Sequence, residues 1–544
     1  MAESCSAGME ARVRFPGCLM LNKIVLLPLL ILLAGGAHAL TAAQARAIAV
    51  GETDARIEAL NGAIAAADEK TVAFLQALAD DAVKIAGERV FVVRDGKTLD
   101  PVSGAAAVLP ADAEDVVSNN RMRGELENAI ATLQLFSPDE GRRAQAAKVL
   151  REGADEARLP LIEKAYAAES SARVRQALAL ARAAVLLASS DKARRIAAAK
   201  ALGGDNSPAT RTLLLERLRA EPEPDVKAAL ETALRSVDGA LAWNERLGAL
   251  FSGLSLGSIL LLVALGLAIT YGLMGVINMA HGELMMIGAY ATYVVQGLFQ
   301  RHLPAGVFDW YLLAAVPVSF GAAALVGAAL ERGVIRFLYG RPLETLLATW
   351  GISLMLMQLV RSIFGAQNVG VENPGWMSGG IVVLGSLQLP WNRIVIVGFA
   401  AAVLVAVALL IGCTRLGLFV RGVTQNRPIA SCMGVNTARI DTYAFALGSG
   451  IAGLAGCALS QVGNVGPDLG QAYIVDSFMV VVLGGVGQLA GTVYAALGLG
   501  VLNKLLEGWV GAVLAKIAVL VFIIFFIQKR PQGIFAMKGR SAEA

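Results

Sequence analysis

The second half of this chain contains a series of apolar segments, and their lengths constrain the fold more than any other feature. The segments lie near residues 248–276, 283–299, 309–330, 344–364, 393–413, 441–462, 475–503 and 510–528. About 20 apolar residues in a helix cross the bilayer core. The first two segments allow two crossings with a turn between them, and 475–503 is cut by "GGVGQLAG". We therefore predict a polytopic transmembrane helical bundle of eight to ten spans.

Charged residues divide the chain into two parts. Residues 41–245 contain frequent Arg, Glu, Asp and Lys, whereas 248–528 includes long stretches without any of them. The whole chain is 56% apolar, above the roughly 45–50% that is usual for soluble proteins. We predict an all-α soluble domain over 40–245 and an all-α membrane domain over 246–540. No basic run with interleaved aromatic residues indicates nucleic-acid binding.

The first 39 residues have the pattern of a secretory signal peptide. Three basic residues precede the apolar run "IVLLPLLILL" (24–33), which is too short to span, and small residues favour cleavage after Ala39. The alternative is an uncleaved N-terminal anchor. If the signal is used, the soluble domain is periplasmic.

The soluble part has apolar residues at helical spacing and one β-type run, "RVFVVRDGKTL", that predicts a hairpin around Asp95-Gly96. It also contains a repeat, because "RRAQAAKVL" from Arg142 returns as "RRIAAAKAL" from Arg194, 52 residues later. The same offset recurs further along the chain. This pattern favours duplicated helix pairs of the HEAT-like kind over 142–234. Coincidence in Ala-rich helices is the alternative.

Catalytic and metal-binding constellations are absent from the sequence of this soluble part. It contains no Cys and no His after His38, and its acidic residues are spread along helix faces. We expect a periplasmic interaction platform, with a passive spacer as the alternative. For the chain as a whole we expect no enzymatic activity, no bound cofactor and no metal.

The orientation follows from basic residues, which concentrate in cytoplasmic loops. Arg and Lys are frequent in 331–344, in 414–441 and in the tail after 528, whereas the loops near 300–308, 365–393 and 463–476 contain only Arg301 and Arg393. A cytoplasmic tail requires 475–528 to cross an odd number of times. Three short crossings or a re-entrant piece would satisfy this requirement.

The stretch "GVINMAHGEL" (275–284) places Asn278, His281 and Glu283 within the apolar region. Ionisable groups at membrane depth are costly and indicate function by default. The predicted topology puts this stretch at a turn towards the cytoplasmic side, where solvation lowers the cost. A structural turn and a part of the gate or pathway are both compatible with these residues.

Four stretches in order resemble the branched-chain amino-acid type of ABC transporter permease (the LivH group). They are "GLAITYGLMGVINMAHGELMMIGAY" (266–290), "RGVTQNRPIASCMGVN" (421–436), "FMVVVLGGVGQLAGT" (478–492) and "KRPQGIF" (529–535). The stretches "INMAHGE", "LATWGISLMLMQLVRSIFGAQNV" and "NPGWMSGG" are similar to the urea permease branch of that family. An exported helical domain ahead of the permease core also resembles that branch.

The resemblance implies ATP-driven import of urea across the bacterial inner membrane. The implied partners are a second homologous permease, two cytoplasmic ATPases and a periplasmic substrate-binding protein. ATP would be bound and hydrolysed on the ATPases, since no GxxxxGK[ST] pattern occurs in this chain.

Urea is neutral and planar, so its path needs hydrogen-bond donors and acceptors. The candidate pathway or gate residues are Asn278, His281, Glu283, Thr349, Ser353, Gln358 and Ser449. Each of the neutral ones is also compatible with a hydrogen bond between helices. The resemblance places an ATPase-coupling loop at 421–436, with Arg421, Gln425, Asn426, Arg427 and Gly434 as its candidate residues.

Two other functions are left open by the residues. Branched-chain amino-acid uptake is the alternative within the same class, although a zwitterion calls for paired charges along its path. A passive urea channel is the alternative from another class, and it leaves the coupling-type loop unexplained.

Overall fold

The computed structural model describes residues 40–64, 69–94, 97–110, 112–153, 156–383 and 387–535. The predicted signal peptide, 1–39, lies outside these residues. The described chain forms two compact units, and the first comprises the residues up to 205 together with 209–236. The second unit comprises 206–208 and the residues from 237 onward.

The first unit is mostly helical. Its helices are α1 (Ala42–Ala49), α2 (Thr53–Ile64), α3 (Glu69–Ala79), α4 (Asn120–Gln134), α5 (Glu140–Glu152), α6 (Leu159–Ala168), α7 (Ala172–Leu186), α8 (Lys192–Leu202) and α9 (Pro208–Ala220), followed by the start of α10 (Pro224–Met274). Polar side chains cap several of these helices at their N-termini. Asp139 and Asp191, for example, accept the N–H groups of Gly141 and Ala193.

A small antiparallel sheet interrupts these helices. Its strands are β1 (Val83–Ala86), β2 (Arg89–Arg94), β3 (Lys97–Leu99) and β4 (Glu114–Asp115), in the order β3-β2-β1-β4. Strand β2 pairs with β3 through Arg94 and Lys97, which confirms the predicted hairpin. The turn residues Asp95 and Gly96 lie outside the described part. Apolar residues of β1 and β2 pack against α3 and α4.

The 52-residue offset in the sequence recurs in the contacts of the first unit. Arg143 pairs with Glu169 at 2.8 Å, and Arg195 pairs with Glu221 at 3.0 Å. Each arginine also donates to two backbone carbonyl groups just before its own helix. The two helix pairs therefore repeat the same side-chain chemistry. Their assignment to the HEAT-like class stays a prediction.

The second unit is a helical bundle. It contains the apolar part of α10, followed by α11 (His281–His302), α12 (Tyr311–Gly333), α13 (Pro342–Phe364), α14 (Trp391–Cys413), α15 (Arg415–Gln425), α16 (Arg427–Cys432), α17 (Thr437–Ser460), α18 (Leu469–Gly484), α19 (Leu489–Val510) and α20 (Ala512–Lys529). A short hairpin of β5 (Gly380–Val383) and β6 (Leu387–Pro390) precedes α14. The architecture confirms the prediction of an all-α polytopic bundle.

Seven of the described helices are long and apolar enough to cross a membrane: α10, α12, α13, α14, α17, α19 and α20. This number is below the predicted eight to ten for two physical reasons. Helix α11 is long but carries polar residues such as His281, Glu283 and Gln296. Helix α18 is apolar but only 16 residues long. The region 475–528 is divided among three helices, with breaks at 485–488 and at Gly511.

Loops that the basic-residue pattern places on one side of the membrane lie together in the bundle. Val369 and Val465 exchange backbone hydrogen bonds of 2.9 and 2.8 Å, which joins the two basic-poor loops. Among the basic loops, Arg336 donates to Thr442 at 3.1 Å. The guanidinium of Arg427 also lies 4.1 Å from the ring centre of Tyr339. The segregation of loops agrees with the predicted topology.

Candidate functional site

The stretch 275–280 is a non-helical segment that starts at the exposed Gly275 and buries Val276, Asn278 and Ala280 in the bundle. Helix α10 ends at Met274, Gly275 adopts a φ of +67°, and α11 begins at His281. Because lipid offers no hydrogen bonds, such a segment must find partners inside the protein. The side-chain oxygen of Asn278 accepts the N–H of Ala280 at 3.0 Å. Asn278 therefore supports the break in the helix.

Thr349 holds the same segment from α13. Its hydroxyl oxygen accepts the N–H of Met279 at 3.2 Å and lies 2.8 Å from the carbonyl oxygen of Thr345. Thr349 is completely buried. Backbone groups thus occupy this hydroxyl, which makes Thr349 a support of the segment.

His281 and Glu283 lie near the middle of the neighbouring helices. The hydroxyl of Ser353, the twelfth of 23 residues in α13, donates to Glu283 Oε1 at 2.9 Å. His281 Nε2 lies 3.1 Å from the carbonyl oxygen of Val263. A methyl group added at Gly266 would touch both His281 and Gly448, the twelfth of 24 residues in α17.

This depth corrects the predicted placement of the two residues at a turn towards the cytoplasmic side. The segment 275–280 runs back into the bundle, where Asn278 and Thr349 satisfy its backbone. Protein side chains therefore satisfy the polar groups of this segment, where water was expected to do so from the sequence. His281 and Glu283 begin a helix inside the bundle.

A second helix begins at the same place. A methyl group added at Gly282 would lie 2.4 Å from the carbonyl oxygen of Gly470, so the first turns of α11 and α18 are in backbone contact. Helix N-termini carry partial positive charge and free N–H groups. Discontinuous helices whose N-termini meet in the membrane interior often form transport sites. Only glycine permits this approach.

Asp468, which sequence reasoning missed, precedes the first residue of α18 and is exposed. It lies two residues before Gly470, whose backbone is in contact with Gly282. The run "NVGPDLG" (464–470), which joins Gly and Pro to an acidic residue before a short helix, was the available signal. Asp468 places a second carboxylate at the paired helix N-termini.

Three polar atoms at this site have no hydrogen-bond partner among the described residues: Glu283 Oε2, Asn278 Nδ2 and His281 Nδ1. The three side chains are 1%, 2% and 0% exposed. Buried polar groups are nearly always paired, and an unpaired one calls for an explanation. The site can both donate and accept hydrogen bonds. A small polar solute matches that combination.

Two predicted pathway residues lie elsewhere. Ser449 is buried against Gly327 of α12, which is the position of a helix-packing residue. Gln358 is exposed on α13, on a face that also exposes Met355 and Leu359. Ser449 and Gln358 therefore lie apart from the site. The other predicted pathway residues lie in the segment after α10 or contact it or the start of α11: Asn278, His281, Glu283, Thr349 and Ser353.

The predicted coupling loop folds into α15 and α16. Arg421 and Gln425 are exposed on α15, and Asn426 caps α16 by accepting the N–H of Ile429 at 3.1 Å. Gly434 has a φ of +85°, which favours glycine. Arg427 differs from the others because its guanidinium binds the carboxylate of Asp441 with both oxygens.

Residues 249–528 match the family model described as branched-chain amino acid transport system / permease component. The match covers just over half of the chain, from within α10 to the end of α20. The chain belongs to this family. It is therefore a multi-pass membrane transport subunit, and the site at the paired N-termini of α11 and α18 lies within the family's own domain.

Three relatives illustrate the similarity. The high-affinity branched-chain amino acid transport system permease protein LivH of Escherichia coli K12 is 28% identical over 296 residues, covering 52% of this chain and 94% of LivH. BraD of Pseudomonas aeruginosa, named for the same transport system, is 27% identical over 289 residues, with the same two coverages. A probable branched-chain amino acid transport permease protein of Methanocaldococcus jannaschii is 24% identical over 297 residues, covering 51% of this chain and 88% of its own. No solved structure matches the chain.

Proposed function

We propose that this chain is the permease subunit of an ATP-driven importer that carries urea, or a similarly small amide, across the inner membrane. The observation that carries the proposal is the meeting of two helix N-termini around Glu283, with unpaired polar atoms on Glu283, Asn278 and His281. Beyond membership of the family, the proposal names urea as the substrate and import as the direction of transport.

The chemistry of urea suits this arrangement. Its carbonyl oxygen is an acceptor that matches the partial positive charge at the N-terminal ends of α11 and α18. Its two amide groups are donors that match the carboxylates of Glu283 and Asp468. Ser353 and Asn278 add neutral polar groups, and both are buried. The resemblance of "INMAHGE" to the urea branch supports the same substrate.

Partner subunits are part of the proposal. The coupling loop exposes the apolar side chains of Ile429 (60%) and Met433 (80%), and α15 exposes Leu418 (61%) just before it. Exposed apolar groups beside basic residues suit docking to a cytoplasmic ATPase. We propose two such ATPases, a second homologous permease and a periplasmic binding protein. The first unit would then serve the binding protein as a platform, and its deletion (residues 41–240) would impair uptake without preventing membrane insertion.

Branched-chain amino acids are the second candidate substrate, because LivH and BraD are named for their transport. Helix N-termini also bind a substrate carboxylate, and Glu283 or Asp468 would accept an ammonium group. The two substrates differ in the volume that they need beside the polar groups.

The test is uptake of radiolabelled urea and radiolabelled leucine by the complex reconstituted in proteoliposomes, with and without ATP. We expect ATP-dependent urea uptake that excess leucine does not inhibit. ATP-dependent leucine uptake without urea uptake would show that the substrate is a branched-chain amino acid and not urea. Equal urea uptake without ATP would instead establish a passive channel. The matched control is a complex whose ATPases carry an inactive nucleotide site.

A further inference from the structure

The coupling loop is attached to the bundle by a network of two buried carboxylates and two partly exposed arginines. Arg427 is the first residue of α16, and its guanidinium donates to both carboxylate oxygens of Asp441. Asp441 lies near the start of α17. Asp441 is only 3% exposed. The same guanidinium lies over the ring of Tyr339, 4.1 Å from its centre. Bidentate pairing and stacking fix an arginine far more rigidly than a single contact does.

A second arm of the network starts at the next residue of α17. The Thr442 hydroxyl donates to Glu331 Oε2 at 2.6 Å, and Arg336 binds both oxygens of Glu331 at 3.3 and 3.2 Å. Glu331 lies near the end of α12 and is 1% exposed. Two positive and two negative groups balance here. The network therefore ties α16 and the connection after α12 to the start of α17.

Helix α17 continues from this network to the candidate site. Its glycines allow backbone contact with three neighbours, because methyl groups added at Gly448, Gly453 and Gly456 would lie within 2.7 Å of Gly266, Ser319 and Met285. Gly266 also touches His281, and Met285 follows Glu283 by two residues in α11. Close-packed interiors transmit displacement instead of absorbing it.

We propose that the Arg427–Asp441 pair and the Glu331–Arg336–Thr442 arm are the link that transmits movement of the coupling loop, through α17, to the segment 275–284. The proposal rests on the proposed function and assigns a positioning role to Asp441, Arg427 and Glu331. Without the pair, α16 moves with the ATPase while α17 does not follow.

Hydrogen exchange in the full complex, held in lipid nanodiscs, tests this link. Exchange of the backbone amides of 275–284 is compared without nucleotide and with Mg-ATP plus vanadate, and no substrate is added. We expect a nucleotide-dependent change in the wild-type complex and in Arg439→Ala, which removes an exposed arginine in the first turn of α17. In Asp441→Asn we expect most of the change to be lost. The double variant R427D/D441R is expected to recover part of it.

Arg427→Lys covers the case in which Asp441→Asn fails to assemble, since it keeps the charge but loses the bidentate contact and the stacking. We expect it to weaken the exchange response while ATP hydrolysis continues. A wild-type response in Asp441→Asn or in Arg427→Lys would overturn the proposal, as would a wild-type complex without any response. Failure of urea uptake with the exchange response intact would count only against the proposed substrate.

Discussion

Two buried glutamates, one in each unit, are held in opposite ways. Both oxygens of Glu169 are used, by Arg143 at 2.8 and 3.1 Å and by the N–H groups of Ser170 and Ser171 at 3.0 and 2.9 Å. Glu283 receives one hydrogen bond, from Ser353, and its second oxygen has no partner among the described residues. Glu169 is thus paired at both oxygens, whereas Glu283 is paired at only one.

This difference separates a scaffold from a site. A buried carboxylate with a full set of donors holds its neighbours in place, and breaking the set is destabilising. An incompletely paired carboxylate at membrane depth lowers stability, and a protein retains it for function. The same residue type therefore predicts opposite consequences of substitution in the two units.

The largest loss of stability is expected for a substitution at Gly288, which lies in α11, the helix that carries Glu283. A methyl group added at Gly288 would lie 2.1 Å from the carbonyl oxygen of Gly453, with no flexible side chain to yield. We expect Gly288→Ala to destabilise the bundle by about 1–3 kcal/mol or more, as overpacking does. Thermal unfolding of the chain in detergent measures this. The control is Gly297→Ala on the same helix, where nothing lies within 4 Å. Equal unfolding temperatures for the two variants would contradict the packing.

Glu283→Gln tests the incomplete glutamate. We expect urea uptake by the complex to fall about tenfold or more, because a carboxylate that contacts substrate is lost. The unfolding temperature should stay the same or rise, since the substitution removes a buried charge. Gln358→Leu is the control on an exposed position. A Glu283→Gln protein that unfolds at lower temperature and transports normally would make this glutamate a structural residue.

Glu169→Gln should have the opposite pattern. We expect a lower unfolding temperature of the first unit, because the Arg143 guanidinium keeps its charge in a largely buried position without a matching anion. Glu163→Gln is the matched control, since its pair with Arg182 is about half exposed, and surface pairs contribute about 0–1 kcal/mol. Glu221→Gln should reproduce the effect in the second copy of the repeat. Equal unfolding temperatures for Glu169→Gln and Glu163→Gln would contradict the larger contribution that we assign to the buried pair.

The smallest effect is a pH dependence confined to the first unit. Hydrogen bonds from Arg143 and from the Ser171 N–H lower the pKa of Glu169 from its ordinary value of 4.5 to about 2. A carboxyl whose folded pKa is lowered stabilises the fold above its unfolded pKa, and this stabilisation is lost as the pH falls from about 4.5 to about 2. The protection factors of the backbone amides in α5 and α7, which correct for the pH dependence of intrinsic exchange, should therefore decrease as the pH falls over that range. Glu169→Gln should flatten the profile, and an unchanged profile would exclude Glu169 as its source.

Much of the fold could be predicted because it depends on local patterns. Apolar segments of spanning length predicted the bundle, and the β-type run "RVFVVRDGKTL" predicted the hairpin. The 52-residue offset was visible because Arg143 and Arg195 occupy equivalent positions with equivalent partners. These features need only residues that are near in sequence or repeated.

The site was less predictable because it depends on distant contacts. Nothing in "GVINMAHGEL" alone distinguishes a turn at the membrane surface from a segment that returns into the bundle. The contacts of Glu283 with Ser353 and of His281 with Val263, which decide between them, join residues that are 70 and 18 positions apart in the chain. Asp468 was missed for the same reason, and Gln358 was included because periodicity does not show which face of α13 is covered.

Cysteine accessibility is the most direct test of the claim that the buried polar groups around Glu283 form part of the transport path. Ser353→Cys and Asn464→Cys, an exposed loop control, are made in a chain whose exposed Cys413 and Cys432 are replaced by Ser. A small, water-soluble thiol reagent is applied to the reconstituted complex at rest and during ATP-driven turnover. The account predicts that Ser353→Cys reacts during turnover and that excess substrate slows the reaction. A cysteine at 353 that never reacts, while the one at 464 always does, would contradict it.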